Sequence, residues 1–315
     1  MLVREAEKTV INWHCDSRVW SRLSARPGDI VVGTPPKCGT TWTQRILSML
    51  LNQSAAPVPI MQTQPWLDAR FVPLDLVLPM LEAAPGRRSL KTHLPFDAIP
   101  LHDDTLYIHV TRDPRDGCMS YHNHCVGHQE VALKHLDEWG LAEPSIGVPY
   151  PRPPESPRDF FRRWLRDPAY LPFDDYTSRE MFALERSFWA ERHRPNVLMV
   201  HYNDMKADLD GEMRRIAAFL QIETPDTLWP DLVEAATFAA MQRDGDALIP
   251  HAAMNWRDGA KTFLYKGTNE RWRDVLTEAD IADYDAAAAK GMSPSLRAWV
   301  ENGRLVAGDP VSAPD

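Results

Sequence analysis

The chain has no apolar run approaching the roughly 20 residues that a helix needs to cross a bilayer, and its opening residues, with Arg4, Glu5, Glu7 and Lys8, do not read as a signal peptide. Cysteine is scarce. Only Cys15, Cys38, Cys118 and Cys125 occur, with no C-x-x-C pair, which argues against a zinc site and a disulfide framework and places the protein in a reduced, cytoplasmic setting. Excess basic charge is missing as well. A formal charge of −9 speaks against nucleic-acid binding, which needs a broad basic face, but leaves room for a local basic pocket. Internal repeats are absent. What is present is a chain of 315 residues, 44% apolar, enough for a substantial core.

The most informative stretch is Asp29 to Leu51, DIVVGTPPKCGTTWTQRILSMLL. Ile30, Val31 and Val32 form a β-branched run bounded by Asp29 and Gly33, as in a buried strand. From Thr40 onward Ile46, Leu47, Leu50 and Leu51 recur at helical spacing. Between them Gly39 permits a tight turn, the helix start can aim several N–H groups at one anion, Thr40 and Thr41 add hydroxyls, and Lys37 adds a mobile charge. This is a phosphate loop without G-K-[ST], suited to one phosphate; an ordinary Pro/Gly turn before a helix is the competing reading.

Further strands follow. Arg88 to Pro95 reads as a short strand ending at Pro95, with Lys91 and His93 at its carboxyl end, where open α/β sheets bind ligands. A lone histidine is more often structural than catalytic. Thr105 to Thr111 is a strand that runs into Arg112, with Asp113 as cap and Pro114 in the first turn of the next helix. Val197 to Tyr202 is another strand, preceded by a helix that Thr177-x-x-Glu180 marks as a capping box. The region 125–175 is Pro-interrupted and carries Trp139, Tyr150, Phe160, Phe161, Trp164, Tyr170 and Phe173; it is either a lid or an inert packed insertion. Residues 57–85 are a loop with one or two short helices, either lining a site or covering the core. Residues 1–28 read as a helical lead-in without chemistry, Trp229 and Trp256 as core, and the end of the chain, 304–315, as a flexible tail. Alternating strands and helices predict one α/β domain, 1–315, with a central parallel sheet flanked by helices.

TPPKCGTTW resembles the 5′-phosphosulfate loop, T-Y-P-K-S-G-T-T-W, of cytosolic-type sulfotransferases that use 3′-phosphoadenosine 5′-phosphosulfate (PAPS) and release adenosine 3′,5′-bisphosphate (PAP). K-T-H-x-P, R-[DN]-P-x-D-x-x-x-S and the segment around Tyr202-Asn203-Asp204-Met205-Lys206 follow in the family's order. The resemblance implies a P-loop-like fold, with Lys37, Lys91 and His93 as catalytic residues and His93 as general base. It implies that Lys37, Cys38, Gly39, Thr40 and Thr41 hold the 5′-phosphate and that Arg112 and Ser120 hold the 3′-phosphate. Tyr202 and Trp42 would contact adenine, although Trp42 also suits a helix core. Thr237 and Phe238 would contact the nucleotide, as would Tyr265, Lys266 and Gly267. The last motif departs from R-K-G-x-x-G-x-W-K at Tyr265, Glu270 and Arg273, and Cys38 stands where the family has serine. Arg271 is a candidate to compensate for the missing arginine.

No metal is implied. The acceptor implied is a hydroxyl on a small molecule, and the likeness of W-T-Q-R-I-L and R-D-P-R-D to bacterial, notably mycobacterial, members that include glycolipid sulfotransferases points to a hydrophobic molecule or sugar lipid. Phenols and steroids stay open. The family's dimer motif K-T-V-x-x-x-E is not evident, so the oligomeric state is open too. The rival readings are a nucleotide kinase, which needs a G-K-[ST] and magnesium, and a non-catalytic PAP-binding relative, supported only by the altered 265–273 motif.

Overall fold

A computed structural model describes residues 1–166 and 177–315. Within them the strands are β1 (Leu2–Arg4), β2 (Ile30–Gly33), β3 (Ser89–Thr92), β4 (Leu101–His102), β5 (Leu106–Thr111) and β6 (Val197–His201). The four longest pair in parallel in the order β3-β2-β5-β6, while β1 and β4 form a separate antiparallel pair. Alternation along the strands feeds two cores. Val31, Leu90, Tyr107, Val197 and Met199 join one buried cluster, and Ile30, Val32, Ile108, Val110 and Val200 join another. Both faces of the sheet are therefore apolar and covered, as a parallel sheet requires.

The helices that matter for the site are α1 (Thr40–Asn52), α2 (Ile60–Thr63), α3 (Leu74–Ala83), α4 (Pro114–Val126), α5 (Glu130–Ala142), α6 (Pro157–Arg166), α7 (Ser178–Ala190), α8 (Tyr202–Ala207), α9 (Leu209–Phe219), α10 (Trp229–Ala236) and α11 (Phe238–Arg243). Residues of α1, α9 and α10 supply the second core, and residues of α6 and α7 supply the first. No described helix is long and apolar enough to cross a membrane.

Two buried polar devices tie the sheet together. At the amino end, the Arg88 guanidinium forks onto Asp29, Nε to Oδ1 at 2.8 Å and Nη2 to Oδ2 at 2.5 Å. In the middle, His109 Nδ1 donates to the Gly33 carbonyl at 3.0 Å and Nε2 lies 2.9 Å from Glu185 of α7, which also accepts the Thr111 hydroxyl. Gly33 is forced here, because a Cβ would lie 2.2 Å from the Phe188 ring.

Several expectations need correction. The lead-in is a 3-10 turn, Ser17–Arg22, preceded by β1 rather than a helix, because Leu2–Arg4 finds β4 as a partner far along the chain. Much of the Pro-rich region is helical, as α5 and α6, since its prolines fall mostly between the two helices; Tyr170 and Phe173 lie outside the described residues. Thr177 stands at an N-cap but makes no side-chain cap bond, and a capping box forms instead at Thr277 with Asp280. The tail, expected to be flexible, is docked. Arg192 donates to the carbonyls of Pro310, Ala313 and Asp315, and the Trp189 indole donates to Asp315 at 2.7 Å. Backbone acceptors of this kind leave no trace in a small, polar sequence.

Replacing Arg88 by alanine strands the Asp29 carboxylate in the core, and urea unfolding should show a loss of about 3–5 kcal/mol. An unchanged midpoint would mean that the pair does not brace β2 against β3.

Candidate active site

The chain leaves β2 through Thr34 and turns twice in the left-handed region, at Lys37 (φ 67) and Gly39 (φ 114), before α1 begins at Thr40. Gly39 is required for a second reason: a Cβ would press on Tyr202 Cδ2 at 3.2 Å and Val110 Cγ1 at 3.3 Å. The first-turn N–H groups of α1 have no intrahelical acceptors, so this end of the helix is ready for an anion. Because β3 lies in parallel register beside β2, with Gly33 opposite Thr92, His93 emerges next to Thr34. Its Nδ1 donates to the Thr34 carbonyl at 2.6 Å, and the Thr34 hydroxyl lies 2.5 Å from that of Thr40. One residue thus joins the histidine to the phosphate loop.

Lys37, Lys91, His93, Arg112, Ser120 and Lys266 line a single cavity of about 880 Å³. No Asp or Glu is found among its described lining residues. Burial and the neighbouring Lys91 push the Lys37 ammonium down to about 8, and burial pushes Lys91 to about 8 against the attraction of Asp68. Burial, then the charge of Lys91, holds His93 well below the usual imidazole range. Repelling cations beside a neutral imidazole make a site that gains from binding an anion. Lys37 Nζ rests 4.2 Å from the centroid of the Phe263 ring, and Lys91 Nζ 4.4 Å from that of Trp66. Among the described residues, no group of three His, Cys, Asp or Glu side chains could hold a metal ion.

Farther along the cavity the Arg112 guanidinium lies over the Tyr202 ring, 4.2 Å from its centroid, and donates to Asn269 Oδ1 and the Thr268 carbonyl. The Trp42 indole donates to the Ala236 carbonyl at 2.7 Å and meets Tyr202 edge-on, so its ring both packs in the core and faces the cavity. Gly267 (φ 62) sits directly on Phe238, where a Cβ would come within 2.6 Å of the ring. Tyr265 is exposed at the rim with Lys266 and Arg271 around it, and Arg271 lines the cavity. Glu270, which replaces the motif's second glycine, keeps the glycine-like conformation at φ 63; its N–H donates to the buried Asp116 of α4 at 3.0 Å.

Two residues expected to touch the cofactor do not line this cavity. The Cys38 thiol is fully buried near Gly117, and burial pushes its pKa far up, so only its backbone remains at the loop. The Thr237 hydroxyl is spent at the start of α11, accepting from Ala240 N–H and donating to the Glu234 carbonyl. Other cavity residues went unread: Trp13 and His14 from the lead-in, Tyr121, His124 and His128 along and beyond α4, and Trp256, taken for core alone. Burial holds His124 and His128 below the ordinary imidazole range. The helical spacing of Tyr121, His124 and His128, in step with Ser120, was the available signal.

The Sulfotransferase domain family matches residues 27–295. The chain is 32% identical over 304 residues to a glycolipid sulfotransferase of Mycobacterium tuberculosis, covering 92% of each, and 26% identical over 281 residues to sulfotransferase 1A1 of Rattus norvegicus, covering 86% and 87%. Among solved structures, retinol dehydratase in complex with retinol and PAP superposes with a TM-score of 0.66 at 22% identity, over 87% of this chain and 83% of that one. A mouse sulfotransferase complexed with PAP gives a TM-score of 0.62 at 20% identity, over 88% of each chain. At such identities these two likenesses speak for the fold. Together with the family match and the mycobacterial relative, they show that this chain belongs to the sulfotransferase family.

Proposed function

We propose that the chain transfers a sulfuryl group from PAPS to a hydroxyl with His93 as general base and Lys37 stabilising the departing phosphate. The observation that carries this reading is the Thr34 junction, which sets the His93 ring beside the loop that starts α1. PAPS supplies an activated sulfuryl group on a phosphate that gains charge as the bridging bond breaks. The first-turn N–H groups of α1, with the Thr40 and Thr41 hydroxyls, hold the 5′-phosphate, and Lys37, assisted by Lys91, meets the charge on the bridging oxygen. Arg112, Ser120 and Lys266 hold the 3′-phosphate, with the Gly267 backbone close by. Arg271 stands in for the arginine missing at Tyr265. Trp42, Tyr202 and Phe238 frame the adenine. With one proton of His93 committed to the Thr34 carbonyl through Nδ1, Nε2 carries the lone pair and accepts the acceptor's hydroxyl proton as oxygen bonds to sulfur.

The aromatic and aliphatic lining, including Trp66, Phe71, Leu76, Val77 and Met80, suits an acceptor with an apolar body. A mycobacterial relative is named a glycolipid sulfotransferase, and a hydroxyl on a lipid or sugar lipid is our reading for this chain. Four buried thiols without disulfides fit a cytoplasmic setting.

Lys37→Ala and His93→Ala should each lower kcat at least about a hundredfold with an unchanged circular dichroism spectrum. Near-normal turnover of the histidine variant would remove the base. PAP should raise Tm in the absence of magnesium, and adenosine 5′-phosphate much less; equal shifts would count against Arg112 and Ser120. Because the two lysines are charged below about 8 and lose that charge as pH rises, PAP affinity should weaken at least about tenfold from pH 7 to about 9.5. A titration by calorimetry showing constant affinity would contradict the lysine assignment, as would an equally steep fall with both lysines changed to arginine.

A further inference from the structure

Asp68, two residues after Trp66, is 1% exposed and hydrogen-bonded to residues that flank Lys91 and His93. Its Oδ1 accepts the Trp66 indole N–H at 2.6 Å, and its Oδ2 accepts the Trp20 indole N–H at 2.8 Å and the Thr92 hydroxyl at 2.6 Å. Both nearer donors touch the chemistry. Thr92 stands between Lys91 and His93 at the end of β3, and its hydroxyl also accepts the Leu94 N–H at 3.0 Å. The Trp66 ring carries the Lys91 ammonium on its face and meets the His93 ring at 83° with centroids 4.8 Å apart. The Lys91 N–H is bound to the Pro65 carbonyl at 3.0 Å, which ties this strand end to the Trp66 segment.

We propose that Asp68 is a positioning residue for sulfuryl transfer: its carboxylate orients Trp66 and Thr92 so that Lys91 and His93 keep their places. This rests on the roles given to Lys91 and His93 above. Burial raises the Asp68 carboxyl to about 6 while hydrogen bonds from Thr92, Trp20, Trp66 and Cys15 pull it back, so it is ionised at neutral pH. Among the described residues, the titratable groups that interact with Lys91 or His93 are His14, Cys15, Lys37, His124, His251 and Asp68, of which Asp68 is the carboxylate. Removing its charge leaves burial to lower Lys91 further, so the ammonium is lost at a lower pH.

The test is the pH dependence of kcat/KM for PAPS, which reports the ligand-free enzyme, with kcat and KM read separately near neutrality, for the wild type, Asp68→Asn, Lys91→Arg and the double variant. Asp68→Asn should lower kcat about tenfold near neutrality and move the alkaline limb down by at least about half a pH unit, with KM for PAPS changed by less than about threefold. The limbs of Lys91→Arg and of the double variant should coincide, because arginine does not titrate there. An unmoved limb in Asp68→Asn overturns the proposal and leaves the carboxylate a packing role only. A wild-type profile without an alkaline limb overturns the assignment of Lys91 itself, and this inference with it. Should Asp68→Asn fail to fold, Trp66→Phe, which keeps an aromatic ring but loses the donated N–H, should lower kcat at least about fivefold with PAP binding intact; unchanged kcat would overturn the proposal.

Discussion

The hydrogen bond from His93 to the Thr34 carbonyl is the constraint on which the rest of the site depends. It forms because β2 and β3 run parallel and end level, so that the first residues beyond the two strands face each other across the sheet's carboxyl edge. Thr34 then reaches through its hydroxyl to Thr40, the first residue of α1. The proposed base and the helix end proposed to hold the 5′-phosphate therefore share one support, and the lysines on the same two segments inherit its geometry. Pre-organisation of this kind lets charge develop in the transition state without rearranging the protein.

Electrostatics follow from the same layout. A protein with net charge −9 concentrates Lys37, Lys91, Arg112 and Lys266 in one cavity whose described lining has no carboxylate. Burial holds both lysines down to about 8, so their charged forms are disfavoured until an anion enters the cavity. The carboxylate that attracts Lys91, Asp68, is kept out of the cavity behind the Trp66 ring, where it steadies the wall without competing for the ligand.

Much of this was legible in the sequence because the chemistry is local. The strand, loop and helix of 29–51, the cap at Asp113 and the placing of Lys91 and His93 at a strand end all follow from short patterns, and the structure has each of them. What was not legible depends on distant partners. Thr237 and Cys38 sit in motifs that resemble nucleotide contacts, yet a capping bond and a turn into the core redirect their side chains. Trp13 and His14 reach the cavity only because the lead-in crosses the fold, and the tail is held by Arg192, an arginine that looks solvent-bound in one dimension. Glu270 is instructive in the other direction. The motif's glycine is gone, but its left-handed backbone persists at a conformational cost of about 1–2 kcal/mol, and Asp116 accepts the Glu270 N–H there.

The proposed mechanism requires a neutral His93 with its proton on Nδ1, so that Nε2 can take a proton from the acceptor. Nitrogen-15 NMR of the imidazole in the PAP complex near neutral pH reads this directly. A protonated Nδ1 and an unprotonated Nε2 are expected; a proton on Nε2, whether in the other tautomer or in an imidazolium, would rule out His93 as the base.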